Sequence, residues 1–309
     1  MFITLLLTSF FTFVELNCEN LFDTNHDPAK EDMEFQPASV RRWTKRRYWR
    51  KLDNIAQEIL STCDDAIPDM VALCEVENDT VLYDLTNRSL LRGANYDYIM
   101  TSSPDLRGIN VALLFSPHSF IPIHSHSIRV EPVKGMRPTR DILYVNGMNT
   151  AGDTLHVFVV HAPSRYGGER YTRPFRLAVA DRLCETVDSI LSVNPNSNIL
   201  IAGDFNDESN GPVMKRICQH SLRNLTKEAH GLNGVRGTYK YQGKWSTIDH
   251  IISSRSLYEK LDTTYIHAPM FLLEKEFSYG GYRPRRTYNG RKYQPGYSDH
   301  LPLVARFRF

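Results

Sequence analysis

Short runs of apolar and β-branched residues recur along the whole chain and alternate with polar segments. Runs of this length and composition predict β-strands. They lie at Phe10–Asn17, Asp69–Cys74, Tyr96–Met100, Asn110–Phe115, Asp141–Val145, Thr154–Val160, Asn198–Ala202, Gly237–Tyr241, Thr247–Ser253 and Leu303–Phe309. The sequence therefore predicts a strand-rich fold that uses both ends of the chain.

Apolar residues recur at helical spacing between several of these strands. The predicted helices cover Trp43–Ser61, Thr80–Leu91, Pro174–Ser192 and Pro212–Thr226, of which the last has the weakest pattern. Pro174 suits the first turn of its helix, where a proline removes no hydrogen bond. Interleaved strands and helices with several long helix-free stretches predict mixed α/β (α+β) layers and not a repeated βαβ barrel.

Polar residues stand at the ends of several predicted strands. Glu75, His161 and Asp204 come just after strands, whereas Asp299 and His300 come directly before the last one. If these side chains share one pocket, the last strand must run opposite to the other three. The sheets are therefore expected to be mixed.

The composition sets loose limits on size and partners. The chain has 309 residues, of which 41% are hydrophobic, which is enough for the core of one large or two small domains. Because the sequence shows no linker and no internal repeat, we expect one domain over residues 1–309. A formal net charge of +2 does not demand a nucleic-acid partner, although residues 41–51 and 283–292 are strongly basic. The five cysteines are scattered without a zinc or redox spacing, which favours small buried thiols.

The N-terminal segment has two interpretations. Phe2–Val14 is apolar enough for the core of an export signal, but no basic residue precedes it and no clear cleavage motif follows. Phe10–Leu16 also fits a strand. We expect residues 1–10 to form a hydrophobic lead or partial signal segment that is too short to span a membrane, with cytoplasmic and exported locations both open.

Two acidic motifs suit a metal or water site. Glu75 follows an apolar strand, where its carboxylate can serve a hard cation or cap a helix. Gly203 permits a sharp exit from another strand, and Asp204 and Asn206 then project from the same side. That pair can position a water molecule and a phosphoryl oxygen together, with an ordinary turn built on Asp204 as the alternative.

Two histidines at strand ends are further candidates for the site. Asp249 lies in an apolar run, where an unpaired carboxylate is costly, and His300 is the expected partner. A buried aspartate fixes one imidazole tautomer and favours the imidazolium. His161 caps another strand, often a structural position, but Pro163 turns the chain out of the sheet there and Arg165 supplies a charge suited to phosphate.

The order of these motifs resembles the endonuclease/exonuclease/phosphatase superfamily, which includes deoxyribonucleases, abasic-site endonucleases, inositol polyphosphate phosphatases and sphingomyelinases. The matching pieces are Asn17, Glu75, His161, Gly203-Asp204-Phe205-Asn206, Ile248-Asp249 and Ser298-Asp299-His300. The resemblance spans almost the whole chain. It implies a four-layered α/β sandwich, two packed mixed β-sheets flanked by helices, with a metal-dependent phosphoesterase site at one end of the sheets.

The resemblance also implies a metal site. Glu75 resembles the family's main Mg²⁺ ligand, with Asn17 and Asp299 near the metal. An oxygen-rich site suits Mg²⁺, with Mn²⁺ as the alternative, and the absence of a Cys/His cluster in the sequence argues against structural zinc. Whether one metal or two bind stays open, because family members differ.

The same resemblance implies catalytic roles for the remaining residues. Asp204 would orient or deprotonate the attacking water, and Asn206 would hold a non-bridging phosphate oxygen. Asp249 and His300 would place an acid and an imidazolium on the phosphate, while His161 matches a general acid or phosphate contact of some nucleases. The identity of the base stays open. These groups supply what phosphodiester hydrolysis needs, an aligned water and neutralised charge on the phosphate.

Three functions are possible, and they differ mainly in the substrate. Basic and aromatic residues interleave in residues 279–293, which could stack bases and hold a backbone or form a solvated loop. The basic run 41–51 enters a predicted helix, where charges usually form the wet face. The leading hypothesis is a monomeric Mg²⁺-dependent nuclease in which an Asp-activated water attacks DNA or RNA phosphodiesters in line, with Arg165 and Asn206 binding the substrate. The alternatives are a phosphatase or phosphodiesterase for a small-molecule or lipid-headgroup phosphate and a catalytically silent binding module.

Overall fold

The computed structural model describes residues 10–64 and 66–309 of the chain. The hydrophobic lead expected over residues 1–10 lies, except for Phe10, outside the described residues and stays a prediction. Among the described helices, none combines the length and the apolar character needed to cross a membrane.

The described residues form eighteen strands and five α-helices. The strands are β1 (Phe11–Leu21), β2 (Met70–Val76), β3 (Asp97–Met100), β4 (Asn110–Phe115), β5 (Phe120–Ile128), β6 (Ile142–Asn149), β7 (Thr154–His161), β8 (Asn198–Asp204), β9 (Leu222–Asn224), β10 (Tyr239–Tyr241), β11 (Lys244–Ser246), β12 (Asp249–Ser254), β13 (Leu261–Ile266), β14 (Leu273–Lys275), β15 (Tyr282–Pro284), β16 (Tyr288–Asn289), β17 (Lys292–Tyr293) and β18 (Leu303–Phe307). The α-helices are α1 (Lys45–Leu60), α2 (Asp79–Asn87), α3 (Glu169–Val193), α4 (Pro212–Cys218) and α5 (Arg255–Tyr258). Short 3₁₀-helices lie at Met33–Phe35, Leu90–Gly93, Leu225–Glu228 and Met270–Leu272.

Two six-stranded sheets form the centre of the fold. The strand order is β13-β18-β1-β2-β4-β3 in the first sheet and β5-β6-β7-β8-β12-β9 in the second. Strands β1 and β2 are parallel, as are β7 and β8, and the other neighbours are antiparallel. The prediction of mixed sheets is therefore confirmed. Strand β18 runs antiparallel to β1 and so opposite to β2, as the position of His300 ahead of the last strand required.

Three apolar layers hold the sheets and helices together. Between the sheets, Phe13 and Ala72 of the first sheet belong to the same cluster as Val157 and Leu200 of the second. A second cluster joins the first sheet to α1 and α2, and a third joins the second sheet to α3 and α4. The resulting order of helix, sheet, sheet and helix is the four-layered α/β sandwich that the family resemblance implied. Strands covered on both faces explain the nearly continuous apolar runs.

Helix α1 brings charged groups into the interior. Its apolar residues Leu52, Ile55 and Ile59 are buried against the first sheet, as their spacing predicts. Lys51 and Glu58 are buried as well. The helix therefore combines packing with polar contacts that reach the segment ahead of the last strand.

Two predicted helices have different bounds. Helix α3 begins at Glu169, so the prediction that Pro174 lies in the first turn is wrong, and the helix tolerates the loss of one hydrogen bond. Gly168, with a φ of 116°, lets the chain turn into the helix earlier than expected. The predicted helix over Pro212–Thr226 ends at Cys218, because Ser221 adopts a φ of 59° and the chain then forms β9.

The sequence prediction missed the longer edge strands β5 and β13. Both lie at the edge of a sheet, where little of the strand is buried. In β5, Ile121 and Ile123 point outward and are 60% and 66% exposed. Such a strand has no regular alternation of buried apolar and exposed polar residues, so the period of two is lost.

Candidate active site

The predicted site residues meet at one edge of the two facing sheets. His161 ends β7, Asp204 ends β8 and Asp249 begins β12, and Asp204 is the register partner of both others. Asn17 and Glu75 come from β1 and β2 of the other sheet. The carboxyl ends of β2, β7 and β8 thus form one crevice, the usual place for a ligand site in α/β sheets.

Asp249 and His300 form a buried polar pair. Nδ1 of His300 lies 2.8 and 3.0 Å from the two carboxylate oxygens of Asp249, to which the Thr238 hydroxyl also donates. Burial opposes a charge on His300, but the carboxylates of Asp249, Asp299 and Asp204 raise its pKa well above the usual value. The imidazole is therefore a cation with a fixed orientation. The pairing expected from the sequence is present.

Asp204 connects the two sheets. Its Oδ2 accepts a hydrogen bond from Nδ2 of Asn17 at 3.1 Å, and its Oδ1 accepts one from the backbone N–H of Asn206 at 2.8 Å. Burial, reinforced by the Asp249 carboxylate, raises the pKa of Asp204 to about 7. Near neutral pH this carboxyl group can therefore exist with or without its proton.

Glu75 leaves the ladder of β2 at an irregular point. The pairing of β2 with β4 shifts register between Cys74 and Val76, and Glu75 has a φ of 65°. Its Oε2 accepts a hydrogen bond from the N–H of Asn20 at 2.8 Å, which leaves Oε1 without one. Irregularities of this kind re-aim side chains beside active sites. The Glu75 side chain is 15% exposed, so a cation can reach it.

His161 is a neutral imidazole between carboxylates. Its Nε2 lies 3.7 Å from Oε1 of Glu75 and from Oδ2 of Asp204, and its buried Nδ1 has no hydrogen-bond partner. Burial, together with the positive charges of Arg140 and Arg107, lowers the pKa of His161 well below the usual value. The ring is available as a hydrogen-bond donor or acceptor to a substrate.

Asn206 and Arg165 shape the loop after β8. Asn206 has a φ of 49°, and its Nδ2 donates to the carbonyl of Ala162 at 3.2 Å. Nε of Arg165 donates to the carbonyl of Asn206 at 2.7 Å, and its other nitrogens lie 3.8 and 3.7 Å from carboxylate oxygens of Asp207 and Glu208. Arg165 thus braces this loop while 34% of its side chain stays exposed.

Asp299 contacts Arg286, which in turn lies near Glu19, and the sequence singled out neither of these two residues. Arg286 donates to Oδ2 of Asp299, and Nε of Arg286 lies 3.8 Å from Oε1 of Glu19. Nε2 of His300 lies 3.8 Å from Oδ1 of Asp299. Burial and the Asp299 charge raise the pKa of Glu19 to about 7. The basic run ahead of Asp299 was the signal that could have identified Arg286.

Glu15 lies in β1 and was also missed. Its carboxylate is fully buried, and neither oxygen has a hydrogen-bond partner. Burial, together with the charges of Asp249 and Asp204, raises the pKa of Glu15 well above the usual value. An acid inside the apolar run Phe13–Leu16 was the same signal that identified Asp249.

Potential metal ligands fall into two groups. Three residues each bring a ligand atom to within 4.8 Å of the others: Asp204, Asp249 and His300. Of these, His300 already uses Nδ1 toward Asp249, which accounts for the cluster without a metal. The predicted ligands Glu75, Asn17 and Asp299 offer oxygen atoms, the donors that Mg²⁺ prefers.

A family model described as Endonuclease/Exonuclease/phosphatase family matches residues 12–308. Its match covers every residue of the site. Among curated proteins, none matches the chain significantly.

Several solved structures share the fold. An endonuclease/exonuclease/phosphatase family protein from Bacteroides thetaiotaomicron is 16% identical, with a TM-score of 0.65 over 96% of this chain and 97% of that one. A mannosyl-6-phosphatase from the same organism is 17% identical, with a TM-score of 0.63 over 96% and 99%. The human nocturnin catalytic domain, solved with bound sulfate, is 18% identical, with a TM-score of 0.60 over 97% and 93%.

Proposed function

The chain belongs to the endonuclease/exonuclease/phosphatase family, and from that premise we propose that it is a metal-dependent phosphoesterase that hydrolyses phosphodiester bonds. The observation that carries the proposal is the cationic imidazole of His300, held by Asp249 within 4.8 Å of the hydrogen-bonded carboxylate of Asp204. A phosphate bound at this cation lies next to a carboxylate that can orient and deprotonate a water molecule. Phosphate hydrolysis needs that arrangement.

The metal is proposed to bind Glu75, with Asn17 and Asp299 beside it. The donor set fits Mg²⁺ or Mn²⁺, because Glu75 keeps a partly exposed carboxylate oxygen without a hydrogen bond and all three residues offer oxygen. When bound, such an ion neutralises negative charge on the phosphate.

Asp204 is proposed to orient the attacking water and to take up its proton. Its two hydrogen bonds, from Asn17 and Asn206, fix the carboxylate, and a pKa of about 7 suits a general base at neutral pH. Asn206 would hold a non-bridging phosphate oxygen after rotating its amide from the Ala162 carbonyl. Asp204 ends β8 and Asn206 follows two residues later, so water and phosphate would be aligned by one short segment after Gly203.

The two histidines are proposed to bind the phosphate in different ways. His300 presents a positive charge, and Asp249 keeps that charge and its orientation. His161 is neutral, so it would donate a hydrogen bond to a phosphate or leaving-group oxygen without adding charge. Arg165, with a third of its side chain exposed, is the additional phosphate contact.

We propose nucleic acid as the substrate, because exposed basic residues surround the segment that reaches Asp299. The test is hydrolysis by purified protein of single-stranded DNA, double-stranded DNA, RNA, inositol phosphates and a phosphocholine lipid, each with Mg²⁺ and with a chelator. Cleavage of polynucleotides that rises with Mg²⁺ and falls steeply with salt is expected. Equal activity in chelator, or full activity of His300→Ala, would overturn the mechanism.

A small phosphate ester is the second candidate substrate. A cleft of about 660 Å³ lies beside the end of β7 and is lined by residues that include Arg107, Arg140, Tyr166 and Tyr171. It has room for one sugar or headgroup beside Pro163, two residues after His161, since pockets for such ligands begin at roughly 300 Å³. Hydrolysis of inositol phosphates or the phosphocholine lipid, with polynucleotides left intact, would favour this alternative.

A further inference from the structure

The basic run 41–51 and the end of the basic and aromatic segment 279–293 are far apart in the sequence but form one surface. Arg46, Arg47 and Arg50 in the first turns of α1 line a cavity of about 340 Å³ together with Tyr293 and Pro295, and Thr44 completes the lining. The cavity thus combines three guanidinium groups with one aromatic ring. We call these residues the arginine cleft.

Aromatic contacts hold the two runs together. The guanidinium of Arg47 lies over the ring of Tyr293, 4.1 Å from its centroid, and that of Arg41 lies 4.9 Å from the centroid of Tyr288. The Tyr288 and Tyr293 rings meet edge to face, with centroids 5.6 Å apart. Because the two arginine–tyrosine pairs join α1 and its preceding loop to the segment before Asp299, the cleft has a defined shape.

Buried hydrogen bonds tie the arginine cleft to the active site. Nζ of Lys51 donates to Oγ1 of Thr287 at 2.8 Å, and the backbone N–H groups of Thr287 and Tyr288 donate to the Glu19 carboxylate at 2.6 and 3.2 Å. The preceding residue, Arg286, donates to Asp299. The same chain segment therefore runs from the proposed metal ligand to the wall of the cleft.

Among the described residues, no carboxylate neutralises the charge of the arginine cleft. Within residues 10–64 and 66–309, no carboxylate lies within 4.0 Å of a nitrogen of Arg46, Arg47 or Arg50. Some exposed arginines elsewhere have such partners, for example Arg182 with Glu185 and Arg255 with Glu259. A concave group of unpaired guanidinium groups beside an aromatic ring is suited to a phosphate with an attached base.

We propose that the arginine cleft binds a phosphate of a single-stranded polynucleotide, away from the phosphate that is cleaved, with Tyr293 stacking on the adjacent base. This inference rests on the proposed function, because it extends the same substrate along the surface from Asp299. It predicts that the cleft contributes to the binding of a chain and not to the chemistry of a small ester.

The test compares two doubly substituted proteins that lose the same charge. Arg46→Ala with Arg50→Ala removes two of the three guanidinium groups that line the cleft. Arg47 is kept, because its guanidinium also donates hydrogen bonds to backbone carbonyls. The control, Arg182→Ala with Arg255→Ala, removes two exposed arginines elsewhere. Binding of a fluorescent single-stranded oligonucleotide is measured by anisotropy over a range of salt concentrations in chelator, so that no cleavage is needed.

The cleft variant is expected to bind about 10- to 100-fold more weakly at low salt, with a log–log salt slope reduced by about 0.7, because that is the contribution of one phosphate contact for single strands. The control and a Tyr293→Phe variant should bind like the original protein, whereas Tyr293→Ala should bind more weakly. Hydrolysis of a nitrophenyl ester of thymidine monophosphate should be unchanged in the cleft variant.

Three results would overturn the inference. They are an unchanged salt slope in the cleft variant, an equal loss of oligonucleotide binding in the control, and a third result from a parallel assay with phosphatidylserine vesicles. In that third result the cleft variant loses binding to the vesicles but not to the oligonucleotide, which would assign the cleft to a membrane surface. Failure of the proposed function gives a different pattern, since the original protein would then hydrolyse no phosphodiester while the two double variants still differed in oligonucleotide binding.

Discussion

Nδ1 of His300 lies 2.8 Å from one carboxylate oxygen of Asp249 and 3.0 Å from the other, although the two residues are 51 positions apart in the sequence. The Asp249 side chain is fully buried and receives a further hydrogen bond from Thr238. A carboxylate with this burial is stable only because it is compensated, and the imidazolium is charged only because the carboxylate is there. Asp249 therefore sets the protonation state of His300.

Asp249→Asn is expected to lower kcat/KM for a generic phosphodiester by about 10²- to 10⁴-fold, the usual contribution of a positioned acid or base. The amide keeps the volume but removes the charge, so the pKa of His300 should fall. Activity assays and NMR titration of His300 check both effects. Full activity with an undisturbed His300 would contradict the assigned pair, and an unchanged circular dichroism spectrum is the control for folding.

Glu75→Gln is expected to raise the Mg²⁺ concentration for half-maximal activity by about 10-fold or more, because a neutral amide is a poorer ligand for a hard cation. Glu77→Gln is the matched control. Glu77 lies nearby, and its Oε2 accepts a hydrogen bond from the N–H of Asp23 at 2.7 Å, a structural contact. Metal titrations of activity and of thermal stability measure the two variants. Equal metal requirements would remove Glu75 from the proposed ligands.

The Asp249 and His300 pair could be predicted because one buried acid in an apolar strand needs a partner, and that rule requires no coordinates. The mixed α/β layers and the direction of β18 also followed from local patterns and from the placement of polar residues at strand ends, whereas the four-layered sandwich followed from the family resemblance. The catalytic roles and the single domain stay predictions.

Other features depend on tertiary contacts that a sequence pattern does not encode. The bulge that turns Glu75 outward uses a positive φ at a residue other than glycine, which local preference disfavours. The contact of Arg286 with Asp299 depends on how the segment before the last strand folds back. At Pro174 the prediction was wrong for the opposite reason. It followed the preference of proline for the first turn of a helix, but α3 begins earlier and includes Pro174 as an internal residue.

Gly203→Ala is expected to destabilise the protein by about 3 kcal/mol or more and to abolish activity. Gly203 has a φ of 143°, and a Cβ there would lie 1.8 Å from the carbonyl oxygen of Val160 on β7. The strands β7 and β8 would have to separate, which displaces His161 and Asp204. Gly152→Ala is the control. Gly152 has a φ of 84° and open space around it, so only about 1 to 2 kcal/mol of backbone strain is expected. Equal losses in urea unfolding would contradict the close approach.

Glu58 predicts a pH dependence of stability that is separate from catalysis. Burial raises the pKa of this carboxyl group from 4.5 to about 8, with Lys51 offsetting part of the effect, and neither oxygen has a hydrogen-bond partner. The folded state thus binds the proton more tightly than the unfolded state. Stability is therefore expected to fall as pH rises from about 4.5 to about 8.

Glu58→Gln removes the titrating group at nearly constant volume, so it should flatten this fall and stabilise the protein at pH 8 and above, on the order of a few kcal/mol. Urea unfolding in chelator from pH 5 to pH 9 measures the effect, because about 1.4 kcal/mol accompanies each unit of pKa shift. Glu185→Gln serves as the control, since that side chain is 65% exposed. If the curves of the original protein and Glu58→Gln stay parallel over this range, Glu58 does not titrate as its burial requires.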